Sequence, residues 1–482
     1  MLAFALLLMW PALSSDAFAQ QATSNSADGL GAVVAIEHAL VSAIDRCEPS
    51  IVAIARVRTP EGAAERVLSM PDPTDPDFVP NEFGTGVVLD ARGLVLTNYH
   101  VLGEITGSTY WVTTIDQQTY PARPKGADPR SDLAVLELVT PDRSRRFSPI
   151  HFSQTKNLRK GQIVVALGNP YAIARDGSAS ASWGIIANLA RKIPFDRETA
   201  LQGGSLGLKN FPTLIQTDAK LNLGTSGGAL INLNGEMIGL TTSLAAISGH
   251  EQAAGYAIPM DAAMLRIIET LKQGREVEYG FLGVMPTNLS YEARIGRNLE
   301  GVRIEEVVPG TPAQRAGLRR RDIVTAVDGV PIHSKDGLML EVGKQLVGYP
   351  VRFSILRGKP GRERKLTLTA DLAKLPVDGR QYFTTKSPAW RGLRIDYATA
   401  EPEFTRTNPA ALTQSNCVVR EVAPGSPAAE AGLAAKILIT HVAGQRINTP
   451  KDFRAAVAAQ SGPVELRLWK PPNERSTVTV EP

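Results

Sequence analysis

From Val33 the apolar residues Val33, Ile36, Leu40 and Ile44 recur at helical spacing, and Pro49 ends the run. One helix is predicted there. Ser50 to Val57 alternates and is rich in β-branched residues, the pattern of a strand. Residues 59–82 carry Pro60, Pro71, Pro73, Pro76 and Pro80 among acidic residues, which predicts a long exposed loop. Short apolar runs bounded by turn residues follow at Gly86–Leu89, Leu94–Thr97, Leu133–Leu138, Ile163–Leu167, Leu214–Thr217, Ala229–Asn232 and Met237–Thr242. Many short strands with glycine turns predict a β-barrel or sandwich. Asp261–Lys272, with Met264, Ile268 and Leu271 on one face, predicts a closing helix. Gln21–Gly31 is small and polar and predicts a flexible stretch.

Length and composition narrow the class. The chain has 482 residues, enough for two to four domains at roughly 100–200 residues each. Apolar residues make up 43% and charged residues 21%, which excludes wholesale disorder, collagen and coiled coil. With 52 basic against 48 acidic side chains there is no footprint for nucleic acid. No apolar run reaches the ~18 residues of a membrane span. Leu2–Trp10 is apolar, and Ala17-Phe18-Ala19 has the small-x-small form of a signal-peptidase site. A signal peptide over residues 1–19, cut before Gln20, is expected. Export with only Cys47 and Cys417, read as free thiols, points to a periplasmic compartment.

The last two hundred or so residues repeat. Ile304-Glu305-Glu306-Val307-Val308-Pro309-Gly310-Thr311-Pro312-Ala313 recurs as Val419-Arg420-Glu421-Val422-Ala423-Pro424-Gly425-Ser426-Pro427-Ala428. Ala316-Gly317-Leu318 recurs as Ala431-Gly432-Leu433, and Gly329 as Gly444, all at one offset. The spacing fits two small domains rather than a solenoid. Each has a late helix. In the second, Thr449, Pro450 and Asp452 have the spacing of a capping box. Linkers are expected at Gln273–Glu278 and Ala373–Lys386.

Six histidines make the search for chemistry short. Gly224-Thr225-Ser226-Gly227-Gly228 is the sharpest feature. A serine is a poor nucleophile unless a base takes its proton, and flanking glycines let backbone N–H groups converge where an oxyanion would form. His100 leaves the strand ending at Tyr99, and Asp132 opens the run Leu133–Leu136. Taken singly, each has a structural alternative: a glycine hairpin, a core histidine, a turn aspartate. Their joint order and strand-edge settings favour a nucleophile, a base and an orienting carboxylate.

The order His…Asp…Ser is that of chymotrypsin-type proteases, and the surrounding residues resemble the HtrA/DegP family of exported serine proteases. The matching stretches are Gly84-Thr85-Gly86-Val87-Val88, Leu96-Thr97-Asn98-Tyr99-His100-Val101, Ser131-Asp132-Leu133-Ala134, Gln216-Thr217-Asp218-Ala219, Thr225-Ser226-Gly227-Gly228-Ala229-Leu230 and Asn234-Gly235-Glu236-Met237-Ile238-Gly239. The resemblance covers about residues 48–482. It implies a mainly β chain: a chymotrypsin-like double β-barrel protease domain (48–272) and two small α+β PDZ domains (278–372 and 387–482). Residues 20–47 would serve assembly into a homotrimer or larger oligomer. It implies Ser226 as nucleophile, His100 as base and Asp132 as its orienter. The oxyanion hole would use backbone N–H groups of Gly224 and Ser226, with Thr225 as a third candidate. Where the family commonly has Asn, this chain has Thr225, which cannot pair with a newly cut amino terminus as the trypsin branch does. Leu221 and Leu244 match walls of the primary specificity pocket and favour a medium aliphatic residue before the cut. Lys220 is placed outward, because an unpaired lysine at a pocket base is costly.

Substrates implied are unfolded proteins or peptides, with peptide carboxyl ends captured at the PDZ domains as an added strand. Phe281-Leu282-Gly283-Val284 matches the carboxylate-binding loop. Trp390-Arg391-Gly392-Leu393 matches less well, and Lys436-Ile437 departs from Arg321-Asp322 of the first repeat. Other signals fail. His250-Glu251 lacks the second histidine of a zinc helix, no cysteine pair has metal spacing, and Gly84-Thr85-Gly86 lacks the third glycine of a dinucleotide loop. No cofactor or metal is expected.

Overall fold

A computed structural model describes residues 15–58, 82–142, 144–153, 155–169, 178–191, 213–242, 255–470 and 473–482, with side chains from residue 29 onward except at 156 and 191. Helix α1 (Ser15–Cys47) leads into strand β1 (Ile51–Arg58). The helix takes in the stretch from Gln21 to Gly31 expected to be flexible, although its two glycines and its short polar residues have low intrinsic helix preference. The predicted apolar face divides. Leu40 and Ile44 pack on the barrel core beside buried Ala43 and Cys47, whereas Leu30, Val33, Val34 and Ile36 are exposed. Burial pushes the Cys47 thiol up to about 11, and its Sγ donates to Gly235 O, so it is inert at neutral pH. The proline-rich loop at 59–81 lies outside the described residues.

Strands β2 (Glu82–Val88), β3 (Leu94–Asn98), β4 (Ser108–Thr113), β5 (Thr119–Asp128) and β6 (Leu133–Leu138) join β1 in order β5-β4-β1-β2-β3-β6, and a further β5–β6 pairing closes a barrel. Strands β7 (Ile163–Gly168), β8 (Ser180–Arg191), β9 (Leu214–Thr217), β10 (Ala229–Ile231), β11 (Met237–Thr242) and β12 (Gly255–Pro259) close a second barrel, β10-β11-β12-β9-β8-β7. Period-two alternation explains the packing. In β1, Val52 and Ile54 fill the first barrel, while Ile51 faces the core shared between the barrels. The predicted closing helix forms at Ala262–Lys272, where Asp261 accepts the N–H groups of Ala263 and Met264. Its Met264, Ile267, Ile268 and Leu271 are buried against that shared core.

The two repeats fold alike. The first contains β13 (Gly280–Phe281), β14 (Val284–Asn288), β15 (Val302–Val307), β16 (Ile323–Val327), β17 (Val330–Pro331), β18 (Pro350–Arg357), β19 (Arg364–Asp371) and β20 (Ala373–Lys374). Its main sheet runs β14-β15-β16-β18-β19, with helix Lys335–Gly343 beside it. After β21 (Tyr382–Phe383), the second has β22 (Leu393–Tyr397), β23 (Cys417–Val422), β24 (Leu438–Val442), β25 (Gln445–Arg446), β26 (Val464–Lys470) and β27 (Glu474–Val480). Its sheet runs β22-β23-β24-β26-β27, with helix Pro450–Ala458 opened by the predicted Thr449/Asp452 capping box. Strands β14 and β22 are sheet edges. The segments expected to be linkers are not free. Glu276 joins the ionic cluster around Lys374, β20 pairs with β13, and β21 pairs with β5 of the first barrel.

The first barrel is packed without slack at Gly86, where an added Cβ would stand 2.5 Å from Val95 Cγ1 and 2.9 Å from Ile54 Cδ1. Gly86→Ala is expected to lower stability by about 1–3 kcal/mol through overpacking, read from the denaturant midpoint. An unchanged midpoint would mean that this interior can yield.

Candidate active site

Strand β3 delivers His100 through a one-turn helix, α2 (Tyr99–Leu102), with Asn98 at the N-cap position and no side-chain capping bond. The turn before β6 delivers Asp132, which is fully buried and adopts φ +53, a left-handed conformation that aspartate tolerates better than most residues. The two are locked by main chain as well as side chain. The Tyr99 amide donates to Asp132 O (2.9 Å), and the His100 amide to Asp132 Oδ1 (3.1 Å). His100 Nδ1 lies 3.0 Å from Oδ1 and 2.9 Å from Oδ2. A nitrogen facing a carboxylate carries the proton, which leaves Nε2 as the lone-pair nitrogen. Burial pulls the His100 pKa down, but the Asp132 charge and hydrogen bond outweigh it and hold the imidazole above its ordinary value.

Ser226 belongs to the second barrel's β9–β10 loop, yet its backbone is fixed to the first barrel. The Thr85 amide in β2 donates to Ser226 O (2.8 Å) and the Thr85 hydroxyl to Gly224 O (2.6 Å). Thr97 Oγ1, in the strand that ends at His100, donates to Thr85 O (2.8 Å). From the other side Thr241 Oγ1 donates to Thr225 O (2.5 Å), and Thr241 O accepts the Gly227 amide (2.9 Å). Gly227 has φ +85, and a Cβ there would sit 2.1 Å from Thr85 O, so only glycine fits. This frame holds the loop of Ser226 and the strand of His100 in one register.

The Thr225 N–H donates to Asn222 O (3.1 Å) and its hydroxyl donates to the same carbonyl (2.7 Å), so here this amide closes the turn. Leu221 is half-buried, packed on the second-barrel core and against Gly255. Leu244 and His250 lie outside the described residues. Lys220 is exposed, as expected. The threonines Thr85, Thr97 and Thr241 escaped the sequence reading. A buried threonine between glycines, as in Gly84-Thr85-Gly86, was the available signal.

In the first repeat Leu282 is buried and Gly283 has φ +85, facing Thr311. Phe281 pairs with Ala373, and Val284 opens edge strand β14. In the second, Gly392 repeats the conformation at φ +83 against Ser426. Arg391 bends back, donating to Val480 O (2.6 Å) and Gly462 O (2.7 Å), so it braces the loop where the first repeat uses an apolar anchor. The Leu393 amide there donates to Trp390 O (2.8 Å). Among the described residues no group of three or more His, Cys, Asp or Glu could hold a metal, and no helix is long and apolar enough to cross a membrane.

The His100–Asp132 contact predicts a titration. By NMR, the His100 midpoint should lie above the ~6.5 of an unperturbed imidazole. Asp132→Asn should bring it below that value, because burial then acts alone. An unmoved midpoint in Asp132→Asn would contradict the pairing.

Comparisons agree with this architecture. The trypsin-like peptidase domain family matches residues 84–240, and PDZ domain families match residues 280–369 and 418–470. The chain is 29% identical over 449 residues, 90% of each chain, to the periplasmic pH-dependent serine endoprotease DegQ of Escherichia coli K12. It is 31% identical over 382 residues to a probable periplasmic serine endoprotease, DegP-like, of Chlamydia trachomatis, covering 79% of this chain and 70% of that one. A solved structure of the HtrA-type protease AlgW with tripeptide superposes with a TM-score of 0.53 at 26% identity, over 70% of this chain and 97% of that one. The chain therefore belongs to the HtrA/DegP family of serine endoproteases, with a trypsin-like peptidase domain followed by two PDZ domains.

Proposed function

We propose that this endopeptidase cleaves unfolded or damaged exported proteins, with Ser226, His100 and Asp132 as its catalytic triad. The observation that carries the reading is the buried Asp132 carboxylate 2.9 Å from His100 Nδ1, on the same barrel whose β2 strand holds the Ser226 backbone. His100 Nε2 takes the Ser226 proton as Oγ attacks the peptide carbonyl, and returns it to the leaving amine. Asp132 keeps the proton on Nδ1 and stabilises the imidazolium. The Gly224 and Ser226 N–H groups receive the oxyanion. Losing one such donor costs roughly 100–1,000-fold in turnover.

The domain limits proposed are residues 48–272, 278–372 and 387–482, with β20 just past the second limit pairing back onto β13. The signal peptide at 1–19 and a periplasmic location rest on the leader and on the relatives' printed location. The edge strand β14 behind Phe281–Val284 suits capture of a substrate's carboxyl end. In the second repeat the committed Leu393 amide makes such capture weaker. Leu221 is retained as a pocket wall together with Leu244.

Casein digestion by the intact protein, compared with Ser226→Ala, tests the triad. Turnover should fall on the order of a million-fold. Residual digestion within tenfold of the parent would overturn the assignment. We assign trimeric or larger assembly to the exposed apolar face of α1. Light scattering should then return a multiple of the chain mass, and Val33→Asp with Ile36→Asp should reduce it. A monomeric parent would end that reading.

A further inference from the structure

The segment joining the two PDZ domains runs along the first barrel directly behind the His100–Asp132 pair. A Cβ at Gly379 would stand 3.1 Å from Pro129 Cβ. Arg380 O accepts the Tyr99 hydroxyl (3.1 Å). Gln381 Nε2 donates to Asp128 Oδ1 (2.8 Å) and Val277 O (2.9 Å). Tyr382 and Phe383 then extend the barrel sheet, opposite Ala127 and Gly126. Thr384 Oγ1 donates to Lys125 O (3.1 Å), and the Thr385 amide to Gly274 O (2.8 Å).

Asp128 is the point of convergence. It is fully buried, and its Oδ2 accepts the Tyr279 hydroxyl (2.5 Å) and the Ser131 amide (2.7 Å). Ser131 immediately precedes Asp132, and Tyr99 immediately precedes His100. The second linker therefore holds Tyr99, the neighbour of His100, directly, and reaches Ser131, the neighbour of Asp132, through Asp128, which Tyr279 also holds.

We propose that the segment 379–385 positions the catalytic pair, with Gln381, Tyr279 and Asp128 acting on Asp132 and the Tyr99–Arg380 contact acting on His100. The inference rests on the triad reading above. Its physical basis is the turn Asp128–Asp132. Asp132 holds a left-handed backbone, a conformation that persists only when its surroundings fix it. The buried Asp128 carboxylate supplies that fixation while its donors are in place. Removing the Gln381 donor leaves a buried carboxyl oxygen short of a partner, and the turn relaxes towards water. A displacement of about 1 Å at catalytic groups costs on the order of 100-fold in rate. Gln381 and the Tyr99–Arg380 contact act through their neighbours rather than on substrate, so the effect expected is on turnover and not on substrate affinity. The tether of the second PDZ domain is thus a component of the active site, and pulling that domain away from the barrel slows chemistry.

The test uses the full-length chain carrying Gln381→Leu, which keeps the side chain's size, and separately Tyr99→Phe, which removes one hydroxyl near the surface. A fluorophosphonate labels Ser226. The endpoint of labelling counts correctly folded sites, and its second-order rate constant reports how well His100 is held. Peptide hydrolysis supplies kcat and KM. For Gln381→Leu the endpoint should be complete, the rate constant and kcat should each fall about 10–100-fold, and KM should stay within about twofold. Tyr99→Phe should lower kcat several-fold in the same manner, and it decides the matter if Gln381→Leu does not fold. Wild-type rate constants at full endpoint, or a loss confined to the endpoint, would overturn the proposal and leave the segment a packing element. Ser226→Ala run alongside separates the two readings. Labelling of that variant would sink the triad itself, whereas its silence with wild-type kinetics in the linker variants would sink only the linker.

Discussion

The hydrogen bond from the Thr85 amide to the Ser226 carbonyl is the contact on which the site depends. Ser226 and His100, the proposed nucleophile and base, belong to different barrels, and nothing in the folding of one barrel alone would set the other's register. Strand β2 supplies the common frame, because Thr85 bonds the serine loop on one side and accepts Thr97 of the histidine strand on the other. Each buried threonine hydroxyl contributes only about 1 kcal/mol net. The carbonyls they serve would cost more if left unpaired in a dry interface. The frame therefore acts mainly by making every alternative loop conformation expensive.

Charge plays a comparable part farther down the chain. Lys374, almost fully buried, contacts Glu276 (2.9 Å) and Asp396 (2.7 Å), while Arg420 reaches the same two carboxylates at 2.5 Å and 2.8 Å. The cluster ties the first linker, the end of the first PDZ domain and the second PDZ domain together. Buried ion pairs contribute little net stability but penalise misplacement heavily. This one spans from the first linker to β22 and β23 of the second PDZ domain.

Much of this was legible from residues alone. Strands β9 and β11 begin and end where the apolar runs do, since both are buried and bounded by turn residues. The helix after Asp261 and the Thr449/Asp452 box follow from local capping chemistry, which involves only near neighbours. His100 and Asp132 stood out because each lies at a strand mouth. The misses have physical reasons. Strand β5 contains Pro121 and Pro124, which argue against a strand, yet barrel closure accommodates them around an irregularity at 124–126. Strand β21 is two residues long, and its partner lies far away in sequence, so no local pattern announces it. Thr85 looked like part of a failed nucleotide loop, because its role exists only when the second barrel arrives. The partner of the Thr225 amide is equally hidden in the sequence. Whether its amide is free depends on the turn it closes, not on its identity.

The most direct examination of the central claim is a crystal structure of the phosphonylated protein. The account predicts phosphorus bonded to Ser226 Oγ, and His100 Nε2 within about 3.2 Å of that oxygen. The phosphonyl oxygen should lie about 2.7–3.1 Å from the Gly224 and Ser226 amides, with the Thr225 amide still on Asn222 O. An adduct whose oxygen faces away from those amides, or an imidazole turned from Ser226 while still bound to Asp132, would contradict it.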